Sequence, residues 1–223
     1  MSTLIDKLNT DNTGEVEKAI SVYTDSFKRY RTLYFDNNID IRLCPKNANT
    51  SIKHIFCQLH YNTDIGANTS LRKSLYEGQS HLGTIVDSEF LFRIGSYKIA
   101  VKRDPIERVL SSAKYILKTR LNIINPSIDM IEELLNTADD KTDFHFLSQT
   151  FWMGTPDLYD KVYGIHQTED MIEYLQDNYI WLGKIGDTYK NISDSTIQVK
   201  DLAISTINKW KDFYKIDYDN GWY

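Results

Sequence analysis

The feature that most constrains the fold is one pattern that occurs twice: an apolar strand, a tight loop and then a helix. Residues 38–44 alternate apolar and polar side chains as a strand does, and helical spacing of apolar residues follows over 52–59. Residues 97–103 form the second predicted strand, and 106–117 carry a long apolar helix face. Alternating strands and helices predict an α/β fold, with a parallel sheet covered by helices on both faces.

Other apolar patterns continue this alternation along the chain. Further helices are predicted over residues 16–30, 128–135, 168–177 and 199–214. Residues 161–165 resemble a strand, residues 62–82 are polar and predict a loop with at most a short helix, and 90–94 fit either a helix or a strand. Because no linker-like tract divides the chain, we predict one domain over residues 1–223, with 1–35 as a helical extension packed on it.

Composition excludes several classes of protein. A formal net charge of -5 argues against a protein that coats nucleic acid, because such proteins usually carry a basic face. The N-terminus shows no secretory signal, and no segment has the roughly 20 apolar residues of a membrane helix, so we expect a soluble, cytoplasmic protein without a membrane partner. The two cysteines, Cys44 and Cys57, are expected to be buried thiols.

A loop rich in hydrogen-bond donors separates the first strand from its helix. It places one ammonium, two amides and two hydroxyls at a helix N-terminus, where free N–H groups and the helix dipole favour an anion. The loop is not a Walker A motif, since G-x-x-x-x-G-K-[ST] is absent. By itself it fits either a phosphate-binding loop or an ordinary capped helix with a solvated lysine. The candidate ligands are Pro45, Lys46, Asn47, Ala48, Asn49, Thr50 and Ser51.

A second polar segment follows the other strand. Asp104 suits the N-cap of the helix, Pro105 suits its first position, and Glu107 suits the reciprocal place in a capping box. Arg103 ends the strand and Ser111 lies on the helix, so a guanidinium fork and a hydroxyl can jointly hold a phosphate. Taken alone, the segment fits a surface charge pattern equally well.

Together the two segments resemble the carbohydrate sulfotransferases. CPKNANTS, residues 44–51, is similar to that family's 5′-phosphosulfate loop, in which P-K-x-x-x-[ST]-[ST] follows the first strand. VKRDPIERVLSSAKY, residues 101–115, is similar to its 3′-phosphate segment, commonly V-R-D-P-x-x-R-x-x-S-x-Y. The resemblance implies a P-loop-like three-layer α/β/α fold with a central, mainly parallel sheet. It also implies the donor 3′-phosphoadenosine 5′-phosphosulfate (PAPS), which leaves as the product 3′-phosphoadenosine 5′-phosphate (PAP).

The same resemblance assigns roles to individual residues. Lys46, with Thr50 and Ser51, would hold the 5′-phosphosulfate, and Arg103 and Ser111 would hold the 3′-phosphate. The implied reaction is an in-line transfer of a sulfonate group, in which the protein positions both reactants and neutralises developing charge. Lys46 would stabilise the departing phosphate oxygen. A sulfonate carries less charge than a phosphoryl group, so the reaction demands no metal.

Three further segments carry a weaker resemblance to the family. Residues 144–149 (FHFLSQ) are similar to an H-x-x-x-Q element, and 159–175 are similar to a strand followed by a helix. Residues 210–220 resemble a Y-x-x-D-Y ending. One position departs from the pattern, since Gln167 stands where the family often has a glutamate three residues after the glycine that matches Gly164.

An acceptor hydroxyl requires a general base, and histidine is suited to that role near neutral pH. His81 is the first candidate, because its placement before Arg103 resembles that of the catalytic histidine in uronyl 2-O-sulfotransferases. His145 is the second, and Glu77 or Glu89 remain alternatives. Packing or solvation is expected for His54 and His60, while His166 follows a strand.

The acceptor is expected to be a glycan or a small molecule. Lys114 and Lys118 either steer an anionic glycan or lie on a solvated face, and Trp210 and Tyr214 are expected in the core. Two other classes stay open. A nucleotide kinase would need a glycine-rich loop and magnesium ligands, neither of which the sequence shows, and a catalytically silent nucleotide-binding module would keep the fold without the transfer.

Overall fold

The computed structural model describes residues 32–35, 38–62, 92, 94–179, 183 and 196–223. The helix predicted over 16–30 lies outside these residues, as does the loop predicted over 62–82 except for Asn62. Of the ambiguous segment 90–94, only Phe92 and Ile94 are described.

A four-stranded mixed sheet makes this an α/β fold. Its strands are β1 (Thr32–Phe35), β2 (Ile39–Arg42), β3 (Tyr97–Lys102) and β4 (Lys161–Gly164), which lie side by side in that order. β1 is antiparallel to β2, whereas β2, β3 and β4 are mutually parallel. The three strands predicted from the sequence are confirmed, within one or two residues at most of their ends.

β1 corrects one expectation, because the last four residues of the predicted helical extension form a strand. Leu33 pairs with Ile41, and Thr32 pairs with Arg42. The Arg42 Nη1 atom also donates to the Thr32 hydroxyl at 3.0 Å. Pairing with β2 decides the conformation of residues 32–35. The spacing of apolar residues within residues 1–35 cannot reveal this pairing.

Both faces of β2 are buried. Ile39 and Ile41 join the apolar core on one face, while the alternate residues Asp40 and Arg42 are also buried. Ser96 Oγ donates to an Asp40 carboxylate oxygen at 2.7 Å. Burial on both faces is the usual environment of parallel strands, and buried polar groups are tolerated where hydrogen bonds satisfy them.

Seven α-helices lie in the described residues. They are α1 (Asn49–Tyr61), α2 (Pro105–Thr119), α3 (Ile128–Thr137), α4 (Gln149–Met153), α5 (Thr168–Asn178), α6 (Ile204–Phe213) and α7 (Lys215–Asp219). Short 3₁₀ helices cover Phe144–Phe146, Pro156–Leu158, Ile165–Gln167 and Val199–Asp201.

The chain divides into two compact units. Among the described residues, the sheet unit contains those of 32–102 and 156–183, and the helical unit contains 103–155 and 196–223. The sheet unit has an apolar core formed by the strands with α1 and α5. Cys44 and Cys57 are buried within this unit, as predicted, and neither forms a disulfide bond.

The helical unit has its own apolar core, formed by α2, α3 and α6. Trp210 is fully buried there and donates its indole N–H to the Leu135 carbonyl at 3.0 Å. Tyr214 is also fully buried. The expectation that these two aromatic residues belong to the core is confirmed.

The helix predicted over residues 199–214 is interrupted near its start. Val199–Asp201 is a 3₁₀ turn, and α6 begins only at Ile204. The Ala203 N–H, which precedes α6, donates to a Glu132 carboxylate oxygen of α3 at 2.6 Å. The Glu132 carboxylate of α3 thus accepts a hydrogen bond from the backbone at the start of α6. This tertiary contact cannot be predicted from the spacing of apolar residues along one segment.

Candidate functional site

The first candidate segment joins β2 to α1 within the sheet unit. Residues 45–48 form a turn, closed by a hydrogen bond from the Asn47 N–H to the Cys44 carbonyl at 3.2 Å. Lys46 and Ala48 both adopt left-handed backbone conformations, with φ of 67° and 56°. Successive backbone residues that alternate in hand point their N–H groups into a shared concavity, which is a recurrent anion-binding geometry. The left-handed conformations of Lys46 and Ala48, two residues apart, are compatible with this geometry.

The start of α1 adds further backbone donors to this segment. Ala48 is the N-cap residue, and no side-chain hydrogen bond caps the helix there among the described residues. The first N–H groups of an α-helix have no partner within the helix, and the helix dipole makes this end electropositive. By contrast, α2 and α3 have their first turns capped by Asp104 and Ser127. The uncapped turn is suited to an external anion.

A buried amide fixes the shape of this loop. Asn47 is fully buried, and its Nδ2 atom donates to the Val101 carbonyl of β3 at 2.9 Å. The left-handed conformation costs a non-glycine residue about 1–2 kcal/mol, so the two left-handed residues beside Asn47 require tertiary support. The anchor from Asn47 to β3 is one source of that support.

The side chains of this loop differ in exposure. Pro45 is buried, whereas Lys46, Ala48, Asn49, Thr50 and Ser51 are all partly exposed. The three residues whose ammonium and hydroxyl groups are proposed as ligands are thus partly accessible to solvent in the sheet unit. Neither left-handed position was predicted, since Lys and Ala are not the residues that usually adopt this conformation.

The second candidate segment begins the helical unit. The Asp104 carboxylate accepts from the N–H groups of Ile106 and Glu107 at 2.9 and 3.0 Å, and Pro105 occupies the first helical turn. The predicted cap at Asp104 is therefore confirmed. The Glu107 carboxylate, expected to complete a capping box, contacts the Arg103 guanidinium, with 3.4 Å between Oε2 and Nε.

Arg103 and Ser111 have the exposure that a ligand requires. The Arg103 side chain is 23% exposed, and its backbone N–H donates to the Gln149 side-chain oxygen at 3.0 Å. Burial lowers the pKa of Arg103, and the neighbouring Glu107 carboxylate partly opposes that shift. Ser111 is partly exposed on α2, two turns after the helix begins. A partly desolvated guanidinium gains from an anionic partner, which fits the predicted role.

Lys114 does not lie on a fully solvated face of α2, which was one of the two expectations for it. Its Nζ atom donates to the Ile197 carbonyl at 2.5 Å, and the side chain is only partly exposed. Burial lowers the pKa of Lys114, and the positive charge of Arg103 lowers it further. Lys118, one turn further along α2, is exposed as expected. Two cations thus act on each other near the predicted phosphate ligands.

Arg108 serves the framework of the helical unit. It is fully buried, donates to the His145 carbonyl at 3.1 Å and to the Leu147 carbonyl, and lies 5.0 Å from the centre of the Tyr214 ring. Ser112 Oγ donates to the same His145 carbonyl at 3.0 Å. Arg108 therefore positions the segment that contains His145 instead of facing solvent.

The weaker sequence resemblances come together in one hydrogen-bonded frame. Tyr214 Oη donates to the Phe146 carbonyl at 2.7 Å. The buried Asp217 carboxylate accepts from the N–H groups of Gln149 and Thr150 at 2.9 and 2.8 Å. Since the Gln149 side chain in turn accepts from Arg103, the FHFLSQ and Y-x-x-D-Y segments support the backbone that carries Arg103. Asp217 was not singled out from the sequence, although its place in the Y-x-x-D-Y pattern was a usable signal.

His145 occupies a structural environment in the helical unit. Its Nδ1 atom lies 2.6 Å from an Asp143 carboxylate oxygen, and its ring packs against Phe144 and Tyr115 at centroid distances of 4.0 and 4.6 Å. Tyr115 lies eleven residues along α2 from the cap at Asp104, or roughly 16 Å at 1.5 Å per residue. The imidazole thus packs far along the helix from the end that carries Arg103.

The remaining candidate bases have different outcomes. His81, Glu77 and Glu89 lie outside the described residues. His54 is buried on α1, and His166 is exposed after β4.

Gln167 fills a structural role at the position where the resemblance led us to expect glutamate. Its side-chain oxygen accepts from the Gly164 N–H at 2.8 Å, which fixes the turn between β4 and α5. An amide oxygen and a carboxylate oxygen both accept such a bond. Replacing the glutamate by Gln167 thus leaves this turn intact.

Comparisons with protein-family models, with curated proteins and with solved structures find no match to the chain. Among the described residues, no helix is long and apolar enough to cross a membrane. The part of the chain that is described also contains no group of three or more His, Cys, Asp or Glu side chains arranged to hold a metal ion.

Proposed function

We propose that the protein is a sulfotransferase that moves a sulfonate group from PAPS to a hydroxyl or amine of an acceptor, with a carbohydrate as the favoured class. The observation that carries the proposal is the loop from residue 45 to residue 51. It combines two left-handed residues, an uncapped helix N-terminus and a lysine, directly after a buried strand. Each of these features favours a bound anion.

The donor's 5′ side is assigned to this loop. Backbone N–H groups of the turn and of the first turn of α1 bind the phosphosulfate oxygens, and Thr50 and Ser51 add hydroxyl donors. Lys46 neutralises the charge that develops on the 5′-phosphate oxygen as the sulfur–oxygen bond breaks. Charge neutralisation by a lysine needs no metal, in keeping with the low charge of a sulfonate.

The donor's 3′-phosphate is assigned to Arg103 and Ser111. A guanidinium offers a rigid fork of donors to phosphate, and its backbone is held by the frame through Gln149. Partial desolvation strengthens its interaction with an anion. These two residues distinguish PAPS from nucleotides that lack the 3′-phosphate.

The proposal also includes the domain organisation, the type of α/β fold and the identity of the general base. We assign both units to one sulfotransferase domain over residues 1–223, of the P-loop-like three-layer α/β/α type. His81 is the proposed base that takes the acceptor proton, with His145 as the second candidate. The burial of His145 and its packing beside Tyr115, far along α2 from Arg103, favour His81 over it.

Ligand-dependent thermal stability tests the nucleotide assignment. PAP at about 100 times its dissociation constant is expected to stabilise the fold by about 2.7 kcal/mol. In a chain of 223 residues this corresponds to a rise in Tm of roughly 5–10 °C. Adenosine 5′-monophosphate (AMP), which lacks the 3′-phosphate, is expected to give a much smaller rise. Equal rises would contradict the assignment of Arg103 and Ser111.

Sulfonate transfer from labelled PAPS to a panel of glycans and small alcohols tests the reaction itself. Lys46→Ala is expected to reduce both transfer and donor binding, whereas His81→Ala should reduce transfer while leaving PAP binding nearly unchanged. The exposed residues Lys118 and His166 provide matched control variants, Lys118→Ala and His166→Ala. Wild-type turnover by His81→Ala would remove this histidine from the mechanism. Binding of PAP without any transfer would instead indicate a silent nucleotide-binding module.

A further inference from the structure

The guanidinium of Arg103 already has an anionic neighbour on its own helix. Arg103 Nε lies 3.4 Å from Glu107 Oε2, and the two side chains are 23% and 39% exposed. Charge-assisted hydrogen bonds between such groups are usually about 2.7–2.9 Å long. The contact is therefore a loose ion pair at a partly exposed site.

A second cation near this pair also has an acidic neighbour. The Lys114 amine donates to the Ile197 carbonyl, and the charges of Arg103 and Asp201 both act on it, with opposite signs. The predicted phosphate subsite of the helical unit thus contains both cations and carboxylates. A ligand that enters it must compete with internal negative charge.

We propose that Glu107 is a built-in competitor for the 3′-phosphate at Arg103 and thereby sets the affinity of the protein for PAP. This inference rests on the proposed function. A phosphate monoester near neutral pH carries a charge of about -1.5 to -2 and three acceptor oxygens, so it can displace a single loosely held carboxylate. A ligand group with one negative charge gains much less from the exchange. Glu107 consequently lowers the affinity for nucleotides with a phosphate at this position, and it thereby promotes release of the product PAP.

Glu107→Gln tests the competition because it keeps the size of the side chain and removes only its charge. PAP is expected to bind roughly three- to tenfold more tightly to this variant, since the Arg103 guanidinium is no longer paired with a competing carboxylate. The affinity for AMP should stay unchanged. Both constants are measured by titration calorimetry. Glu133→Gln is the matched control, because Glu133 is an exposed carboxylate on α3.

The effect must also depend on Arg103. In an Arg103→Gln background, Glu107→Gln is expected to change PAP affinity by less than about twofold, because the group for which the carboxylate competes is gone. A gain that persists in this background, or a Glu107→Gln variant that binds PAP no more tightly than the wild type, would overturn the proposal. The melting temperature of each variant shows that the fold is retained.

Failure of the proposed function gives a different result. If neither the wild type nor Glu107→Gln binds PAP, the sulfotransferase assignment fails. Inorganic phosphate then tests the competition at Arg103 directly. Phosphate is expected to raise the Tm of Glu107→Gln more than that of the wild type, and equal rises would refute the competition itself.

Discussion

Asn47 is the residue through which the stability of the anion-binding loop can be tested most directly. Asn47→Ala removes the fully buried bond from Nδ2 to the Val101 carbonyl, which measures 2.9 Å. Removing one partner of a buried hydrogen bond costs about 1–3 kcal/mol, because the other partner loses its donor without regaining water. We therefore expect a loss of about 2 kcal/mol in the free energy of unfolding. For a chain of this length the Tm should fall by roughly 4–8 °C.

Asn49 offers a control in the same loop. It is the first residue of α1, and its buried side-chain oxygen has no hydrogen-bond partner among the described residues. Asn49→Ala removes an amide of the same size without breaking a described bond, so we expect a change of less than about 0.5 kcal/mol. Urea unfolding followed by circular dichroism measures both variants, and Tm from calorimetry provides an independent value.

The two variants together test the reasoning. If Asn47→Ala and Asn49→Ala destabilise the protein equally, the bond to β3 is not what holds the loop. If the Asn47 variant loses stability but still binds PAP as tightly as the wild type, the loop geometry does not form the anion site. Either result would refute the role of Asn47 in holding an anion-binding loop.

Two further predictions concern the helical unit. Lys209→Met should lower the free energy of unfolding by about 1–2 kcal/mol, because the Lys209 ammonium donates to three carbonyls at the C-terminal end of α3 and interacts favourably with that end of the helix dipole. Urea unfolding measures this loss, with the exposed Lys211→Met as the control. Equal losses of stability in the two variants would contradict the prediction. Burial, followed by the Asp104 charge, raises the pKa of Tyr218 and Tyr223 to about 12, against about 10 in the unfolded chain. The folded state then binds more protons above pH 10, so stability should fall as the pH rises from about 10 towards 12. A pH titration that follows tyrosinate absorbance and circular dichroism together measures this loss of stability. Complete ionisation of the tyrosines near pH 10 with the fold intact would contradict the prediction.

The sequence was a good guide to elements whose causes are local. The alternation in residues 38–44 and 97–103 predicted β2 and β3, and the cap at Asp104 marked the start of α2 within one residue. These features depend on contacts within about four residues along the chain, so a single sequence displays them. The candidate ligands Lys46 and Arg103 follow from the same local logic, since each stands where a strand ends and a helix is about to begin.

The sequence did not show how these ligands are held, because the supporting contacts join residues distant along the chain. Asn47 bonds to Val101, 54 residues away, and Gln149 supports Arg103 across 46 residues. Asp217 reaches Gln149 across 68 residues. The left-handed backbone of Lys46 disagrees with local propensity, and tertiary bonds such as that of Asn47 must compensate for it.

By itself, then, the sequence determined the order of strands and helices, the caps and the chemical types of the candidate anion ligands. The tertiary structure alone decided that β1 is a strand, that α6 begins at Ile204, and that Glu107 lies against Arg103. The physical reason is the range of the interactions. Periodicity and capping act within a turn or a strand, whereas strand pairing, burial and buried hydrogen bonds depend on which distant segments the folded chain brings together.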